Sequence, residues 1–186
     1  MYLFKKGKEM KKLLLVFSLF FIFVNPVSCQ QVLKAGIEKE WTVDSAREEA
    51  FKNVVYQINT REYSPIDPDL IENKEAIIKG LKNIKERAIT VFSNGGYGIK
   101  DGTIGYYYDD SGNLNGIELY DSENVYPGKS YKYSYPSGLL LHVAIKVKPK
   151  NSYDFKPDGS LLTYWIGDNC YYPDGSKAIT RKTYGK

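Results

Sequence analysis

Hydrophobic residues follow a helical period in the first part of the chain and alternate in the second. Between about residues 41 and 88 the apolar positions recur every 3.6 residues, which predicts two amphipathic helices. The first begins at Ser45, whose hydroxyl can cap free backbone amides in a capping box, and runs to about Asn59. The second begins where Asp67 is followed by Pro68, a pair that is favoured at helix starts.

Beyond Ala88 the apolar period shortens to two residues, which is the spacing of strands with one buried face. In the clearest strand, Val143 and Ile145 alternate with His142 and Lys146. Turn sequences that end in glycine interrupt the strands at residues 110–112, 136–138, 157–159 and 173–175. Because each turn reverses the chain, we expect an antiparallel up-and-down β-meander of about seven to nine strands.

The two halves together predict an α+β fold class. Two N-terminal helices would pack on one face of the antiparallel up-and-down β-meander. Residues 30–88 supply the helical segment and residues 89–186 supply the meander, and the two form one globular domain.

The first 29 residues have the pattern of an export signal. Five lysines precede the apolar run 13–24, which suits a signal peptide but is too short for a membrane-spanning helix. Small residues before a cut after Cys29 complete the pattern, so we predict a signal peptide over residues 1–29 and a secreted or periplasmic bacterial protein. Two alternatives are lipidation of Cys29, which would anchor the protein to the envelope, and a short uncleaved anchor. Met10 is an alternative translation start.

Removing this leader changes the charge balance. The chain of 186 residues has 26 Lys and Arg against 22 Asp and Glu, but the leader holds five Lys and one Glu. The predicted mature chain is therefore neutral and has no basic run, so we expect no nucleic-acid partner. We also expect no transmembrane span after signal removal, and the sequence does not indicate an oligomeric state.

Tyrosine is the dominant aromatic residue of the predicted mature chain. This chain has sixteen Tyr and three Phe, which is more Tyr than a core needs because a buried hydroxyl requires a hydrogen-bond partner. We therefore predict a sheet face with exposed rings that binds a glycan or an envelope protein, formed by Tyr106, Tyr108, Tyr131, Tyr133 and Tyr153. The alternative is that tyrosine, which is frequent in strands, simply covers the polar side of the sheet.

Two hairpin sequences resemble the MORN-variant repeats of exported bacterial proteins. Residues 106–114 and 153–161 each combine alternating aromatic residues, a glycine turn and a Leu two residues after the glycine. The resemblance covers about residues 104–180, and the chain departs from it in its uneven spacing and its missing second and third glycines. It implies a binding or scaffold sheet and brings no catalytic residues.

Candidate catalytic and metal-binding residues are few. His142 and Cys170 could form a thiol–imidazole pair, but a solvated imidazole and a buried inert thiol are the simpler interpretation. The aspartates near the turns lack the spacing of a calcium loop, so we expect no metal and no cofactor. We therefore predict a non-enzymatic binding or scaffold protein. The alternatives are a small secreted hydrolase without a recognisable motif and an outer-membrane barrel, which the charged helices and short strands disfavour.

Overall fold

The computed structural model describes residues 41–63 and 87–185, and its main feature is a closed β-barrel. Ten antiparallel strands follow one another around the barrel in sequence order, and the last pairs with the first. The strands are β1 (Arg87–Phe92), β2 (Tyr97–Asp101), β3 (Ile104–Tyr108), β4 (Leu114–Tyr120), β5 (Gly128–Ser134), β6 (Leu140–Lys148), β7 (Asn151–Phe155), β8 (Leu161–Ile166), β9 (Asn169–Tyr171) and β10 (Lys177–Gly185).

The predicted α+β fold class is wrong. We expected two helices on a meander of about seven to nine strands, whereas the described chain is mainly β-structure and its ten-stranded sheet closes. The closing register of β1 and β10 extends from Ala88 opposite Gly185 to Phe92 opposite Arg181. Such a pairing joins segments that are distant in sequence, so the local hydrophobic pattern does not reveal it. A twisted sheet of this width can curl until its first and last strands meet.

One short α-helix, α1 (Val43–Ala50), precedes the barrel in the described chain. The side chain of its N-cap residue, Thr42, accepts a hydrogen bond from the Ser45 amide at 3.1 Å. In return the Ser45 hydroxyl oxygen accepts one from the Thr42 amide at 3.0 Å. Ser45 is therefore the third residue of the helix and closes the capping box, and it is not the N-cap that the sequence predicted.

We expect the first helix to run to about Asn59, but the chain between Ala50 and that residue is not helical. Asn53 takes a left-handed φ of 64°, and the extended chain after it forms a bridge between Gln57 and Leu139. A short 3₁₀-helix follows at Thr60–Glu62. The second predicted helix, which starts at Asp67, and the leader with Cys29 lie outside the described residues.

The glycine turns predicted from the sequence are confirmed. Gly112, Gly138, Gly159 and Gly175 all have positive φ values, between 71° and 86°, which glycine adopts without strain. These turns join β3 to β4, β5 to β6, β7 to β8 and β9 to β10, so they share one rim of the barrel. We call it the glycine rim.

The apolar side of the sheet faces outward, and α1 covers part of it. Ala46 and Ala50 of α1 are fully buried in a cluster with Val143, Ile145 and Phe155 of β6 and β7. A second outward cluster lies on β1 to β4 and consists of Ile89, Tyr97, Ile99, Tyr106, Tyr108 and Ile117. No helix within residues 41–63 and 87–185 is long and apolar enough to cross a membrane.

Candidate functional site

The barrel encloses a cavity of about 970 Å³. Its lining includes Asp110 at the glycine rim and Lys150 at the opposite rim, so the cavity extends through the lumen. Between the rims, the charged lining residues are Lys100, Lys132, Lys146 and Arg181 on the positive side and Glu118 and Asp154 on the negative side, with His142 among them. At the rims the lining adds Asp109, Asp110, Lys150 and Asp168.

Strand alternation explains why these side chains face the lumen. On β4, Glu118 and Tyr120 line the cavity, while Ile117, the residue before Glu118, belongs to the outward apolar cluster. On β6, His142 and Lys146 line the cavity and Val143 is fully buried on the outer side. The polar face predicted from the sequence is therefore the inside of the barrel.

Glu118 is the centre of a hydrogen-bond network on one wall of the lumen. The hydroxyl groups of Tyr107 and Tyr120 both donate to its Oε2 atom, the second at 2.8 Å, and the Ser130 hydroxyl donates to Oε1. The two tyrosine hydroxyls are also 3.1 Å apart. Neutral donors thus occupy both oxygens of this buried carboxylate.

Asp154 on β7 is the second carboxylate of the lumen that accepts several hydrogen bonds. Its Oδ2 atom accepts hydrogen bonds from the Thr163 hydroxyl at 2.9 Å and from the Trp165 indole nitrogen at 3.1 Å. The Ser152 hydroxyl lies at 3.5 Å from Oδ1. This carboxylate too is held by neutral donors.

The lumen lysines lie over aromatic rings and not against carboxylates. Lys132 Nζ is 3.8 Å from the centre of the Tyr107 ring. The Nζ atoms of Lys100 and Lys146 lie 4.6 and 4.5 Å from the centre of the Tyr120 ring. Within the described residues, none of these three ammonium groups forms an ion pair.

Arg181 differs from the lysines because it has anionic and carbonyl partners near the rim opposite the glycine turns. Its Cζ atom lies 4.3 Å from the centre of the Trp165 ring, and its Nη2 atom donates to the Gly167 carbonyl at 3.1 Å. Its Nε atom is 3.9 Å from a carboxylate oxygen of Asp168. Arg181 is therefore held in place, whereas the three lysine ammonium groups form no hydrogen bond or ion pair within residues 41–63 and 87–185.

Three glycines make room for this arrangement on the wall formed by β2 to β4. A Cβ atom on Gly98 would lie 2.9 Å from the Tyr107 ring, and one on Gly116 would lie 2.8 Å from Cε of Lys132. A Cβ atom on Gly105 would lie 3.1 Å from the Tyr107 ring. The Tyr107 ring and the Lys132 stem thus occupy the space that these residues leave empty.

Burial and charge shift the pKa values of the lumen groups. Burial lowers the pKa of Lys132 and Lys146 despite the attraction of Glu118. Burial would raise the pKa of Glu118. The charge of protonated His142, the hydrogen bonds from Ser130 and Tyr107, and Lys146 outweigh it, so the pKa lies below its usual range. The carboxylate is therefore ionised, and the wall combines one anion with several cations.

The five tyrosines predicted as a binding face do not form an open surface. Tyr106, Tyr108, Tyr133 and Tyr153 are only 2 to 6% exposed, and Tyr131 is half-buried. All five belong to the two apolar clusters or pack against them. The hydroxyl of Tyr133 donates to the Val55 carbonyl at 2.9 Å, and that of Tyr153 donates to the Trp41 carbonyl at 3.2 Å. These rings tie the N-terminal segment to the barrel.

His142 and Cys170 both line the cavity, but they do not form a catalytic pair. No hydrogen bond joins them among the described residues, and burial raises the pKa of the Cys170 thiol to about 11. The thiol is protonated at neutral pH and is not an activated nucleophile. The same part of the chain contains no group of three His, Cys, Asp or Glu that could hold a metal ion.

The lumen cations were not singled out by the sequence analysis. Lys100, Lys132 and Lys146 look like ordinary solvated lysines when their strands are taken as an open sheet with one wet face. The glycines at positions 98, 105 and 116, each on the same face as these lysines, were the available signal, because glycine inside a strand marks close approach of another group.

Comparisons of the chain with protein-family models, with curated proteins and with solved structures find no match.

Proposed function

We propose that this protein is a non-enzymatic binding protein that holds a small polar molecule in the lumen of its barrel. The observation that carries the proposal is the cavity of about 970 Å³, lined by charged and aromatic side chains. Ligand pockets commonly have volumes of about 300–1,000 Å³. A barrel interior that serves only stability is usually filled by side chains.

The composition of the lumen supports binding over packing. Charged groups removed from water destabilise a fold unless they are paired, and Lys132 and Lys146 lack carboxylate partners in the described chain. Gly98, Gly105 and Gly116 keep the wall thin where larger residues would fill space. A ligand that supplies the missing partners accounts for both features.

The proposal places the binding site inside the barrel and not on the tyrosine face. It includes the secreted or periplasmic location predicted from the leader, and it leaves the resemblance to MORN-variant repeats as a prediction about the hairpins. The hydrolase alternative requires a pocket that joins His142 to Cys170 or to several Asp. The cavity lining includes His142, Cys170 and Asp154. The high pKa of the thiol gives the first pairing no support, and Asp154 already accepts hydrogen bonds from Thr163 and Trp165.

His142 provides a direct test, because it is the only histidine in the chain and it lines the lumen. The untagged protein would be titrated with two fluorescent dyes, 8-anilinonaphthalene-1-sulfonate and its neutral relative N-phenyl-1-naphthylamine. We expect at least one dye to shift the His142 ring resonances in proton–carbon NMR spectra in a saturable way. If neither dye shifts them, lumen binding is excluded for ligands of this size.

Two substitutions at one lumen position provide a matched second measurement. Ala144 lines the cavity on β6 and is 5% exposed. Ala144→Leu extends a side chain into the lumen and should weaken dye binding about tenfold or more, while Ala144→Ser keeps the size and should change binding less than about threefold. Equal affinities in the two folded variants would mean that the dyes bind elsewhere.

A further inference from the structure

Two lysines from different strands lie at the same tyrosine ring in the lumen. Lys100 comes from β2 and Lys146 from β6, and their ammonium groups are 4.6 and 4.5 Å from the centre of the Tyr120 ring. Tyr120 itself donates its hydroxyl hydrogen to Glu118 at 2.8 Å, which fixes the ring. The strands thus place two positive charges around one ring of the cavity wall.

No carboxylate of the described chain directly neutralises these two charges. Glu118, the carboxylate that is hydrogen-bonded to Tyr120, already accepts hydrogen bonds from two tyrosines and Ser130. Burial is the main cause that lowers the pKa of Lys146, and Lys100 and Arg181 lower it further as like charges, while Glu118 acts in the opposite direction. An anion bound at either ammonium group would offset this repulsion.

The same cavity also carries a cluster of aromatic rings. The Phe92 ring lies 6.1 Å from the Tyr107 ring in a stacked arrangement and 6.4 Å from the Trp165 ring. Tyr107 also contacts the Tyr120 hydroxyl at 3.1 Å, so the aromatic surface continues toward the lysine pair. Phe92 and Trp165 both line the cavity.

We infer that the lumen is selective for a small organic oxyanion, whose acidic group binds at Lys100 and Lys146 and whose apolar part contacts Phe92 and Trp165. This inference rests on the proposed function and names the chemical class of its ligand. Carboxylate, sulfonate and phosphate esters share the negatively charged oxygens that two ammonium donors recognise.

The two dyes test the charge requirement because they differ by the sulfonate group. Lys100→Met and Lys146→Met each remove one ammonium group and keep most of the side-chain stem. Each variant should weaken 8-anilinonaphthalene-1-sulfonate about tenfold and change N-phenyl-1-naphthylamine less than about twofold. Lys146→Arg, which retains the charge, should bind the sulfonate more tightly than Lys146→Met does. Affinities would be measured by fluorescence titration, with folding checked by circular dichroism.

Lys182→Met is the matched control, because this substitution removes the same charge outside the cavity. Lys182 is exposed on β10 and lies near the Tyr184 ring. This variant should leave both dyes unchanged. The inference is overturned if the lumen variants weaken both dyes equally, if they weaken neither, or if Lys182→Met has the same effect. Failure of both dyes to shift the His142 resonances would instead contradict the proposed function itself.

Discussion

Tyr108 and Tyr133 are both buried in the apolar clusters of the barrel wall, but their hydroxyl groups differ in hydrogen bonding. The Tyr133 hydroxyl donates to the Val55 carbonyl at 2.9 Å, while the Tyr108 hydroxyl has no partner among the described residues. Burial raises the pKa of each phenol to about 12, so neither ionises at neutral pH. An unpaired buried hydroxyl lowers stability, whereas a paired one contributes to it.

Replacing each tyrosine by phenylalanine should therefore have opposite effects on stability. Tyr108→Phe removes an unpaired polar group and should raise the free energy of unfolding by about 1 kcal/mol. Tyr133→Phe leaves the Val55 carbonyl without its donor and should lower that free energy by about 1 kcal/mol. Urea denaturation followed by circular dichroism measures both. Destabilisation of similar size in the two variants would contradict the assignment of hydrogen bonds.

His142 should make the stability of the barrel depend on pH in the range where histidine titrates. Burial lowers the pKa of His142, and Lys132 lowers it further, although Asp154 and Glu118 raise it. The unfolded chain, in which the imidazole has its ordinary pKa of about 6.5, then binds the proton more tightly than the folded chain does. The contribution of His142 to stability is therefore fully present above about pH 6.5 and is lost as the pH falls through the lowered pKa of the folded state.

Urea denaturation at pH 7.5 and pH 5.5 measures this effect. The unaltered protein should be less stable at the lower pH, and His142→Gln should lose most of the difference. Because the chain has a single histidine, no other imidazole can account for the change. A His142→Gln variant with the same pH dependence as the unaltered protein would show that another group titrates.

The extended segment between α1 and the 3₁₀-helix attaches to the β5–β6 hairpin as a small additional element. The Ile58 amide donates to the Gly138 carbonyl at 2.9 Å, and the Leu140 amide donates to the Tyr56 carbonyl at 2.9 Å. The Thr60 hydroxyl also donates to the Pro136 carbonyl at 2.7 Å. This attachment places the segment directly over the glycine of the turn.

Gly138 and Gly175 should respond differently to alanine because only one of the two turns is covered. Both glycines have positive φ values, 71° and 86°. A Cβ atom on Gly138 would overlap the Ile58 carbonyl oxygen, whereas nothing lies within 4 Å of one on Gly175. Gly175→Ala should cost about 1 kcal/mol of backbone strain, and Gly138→Ala about 3 kcal/mol because the attached segment must also move.

Thermal and urea unfolding of the two glycine variants provide the measurement. Equal losses would mean that the segment near Ile58 does not rest on this turn. A Gly138→Ala variant that keeps the stability of the unaltered protein would contradict the left-handed backbone at that position as well.

Local features of the elements could be predicted from the sequence, and features that depend on distant contacts could not. The glycine turns at 112, 138, 159 and 175 are confirmed because their chemistry resides in three or four consecutive residues. The helix was expected to reach Asn59 because its apolar period continues, yet the bridge between Gln57 and Leu139 competes for that backbone. The period of the apolar residues does not predict such a tertiary contact.

At the scale of the whole molecule, alternation identified which residues share a face but not which face lies inside. His142 and Lys146 do share a polar face, as predicted, but that face lines a lumen instead of meeting bulk water. An open sheet and a closed barrel have the same period of two, and only the contact between β1 and β10 distinguishes them. The fold class and the candidate site were therefore missed for the same reason.

The closed sheet also changes the meaning of the neutral overall charge. The predicted mature chain balances its acidic and basic residues, but between the rims the lumen holds Lys100, Lys132, Lys146 and Arg181 against Glu118 and Asp154. A net charge describes the molecule at a distance and does not describe the potential inside one cavity. Affinity for an anion is compatible with a neutral protein for this reason.

The pairing of β1 with β10 leaves the finished barrel without an exposed sheet edge. Without β10, the amides and carbonyls of β1 and β9 would be open to pairing with strands of other chains. Since β10 follows all the other strands in sequence, a partly synthesised or truncated chain carries two such edges until the last strand is in place. Aggregation is therefore a hazard of the incomplete chain, and the C-terminal strand is what removes it.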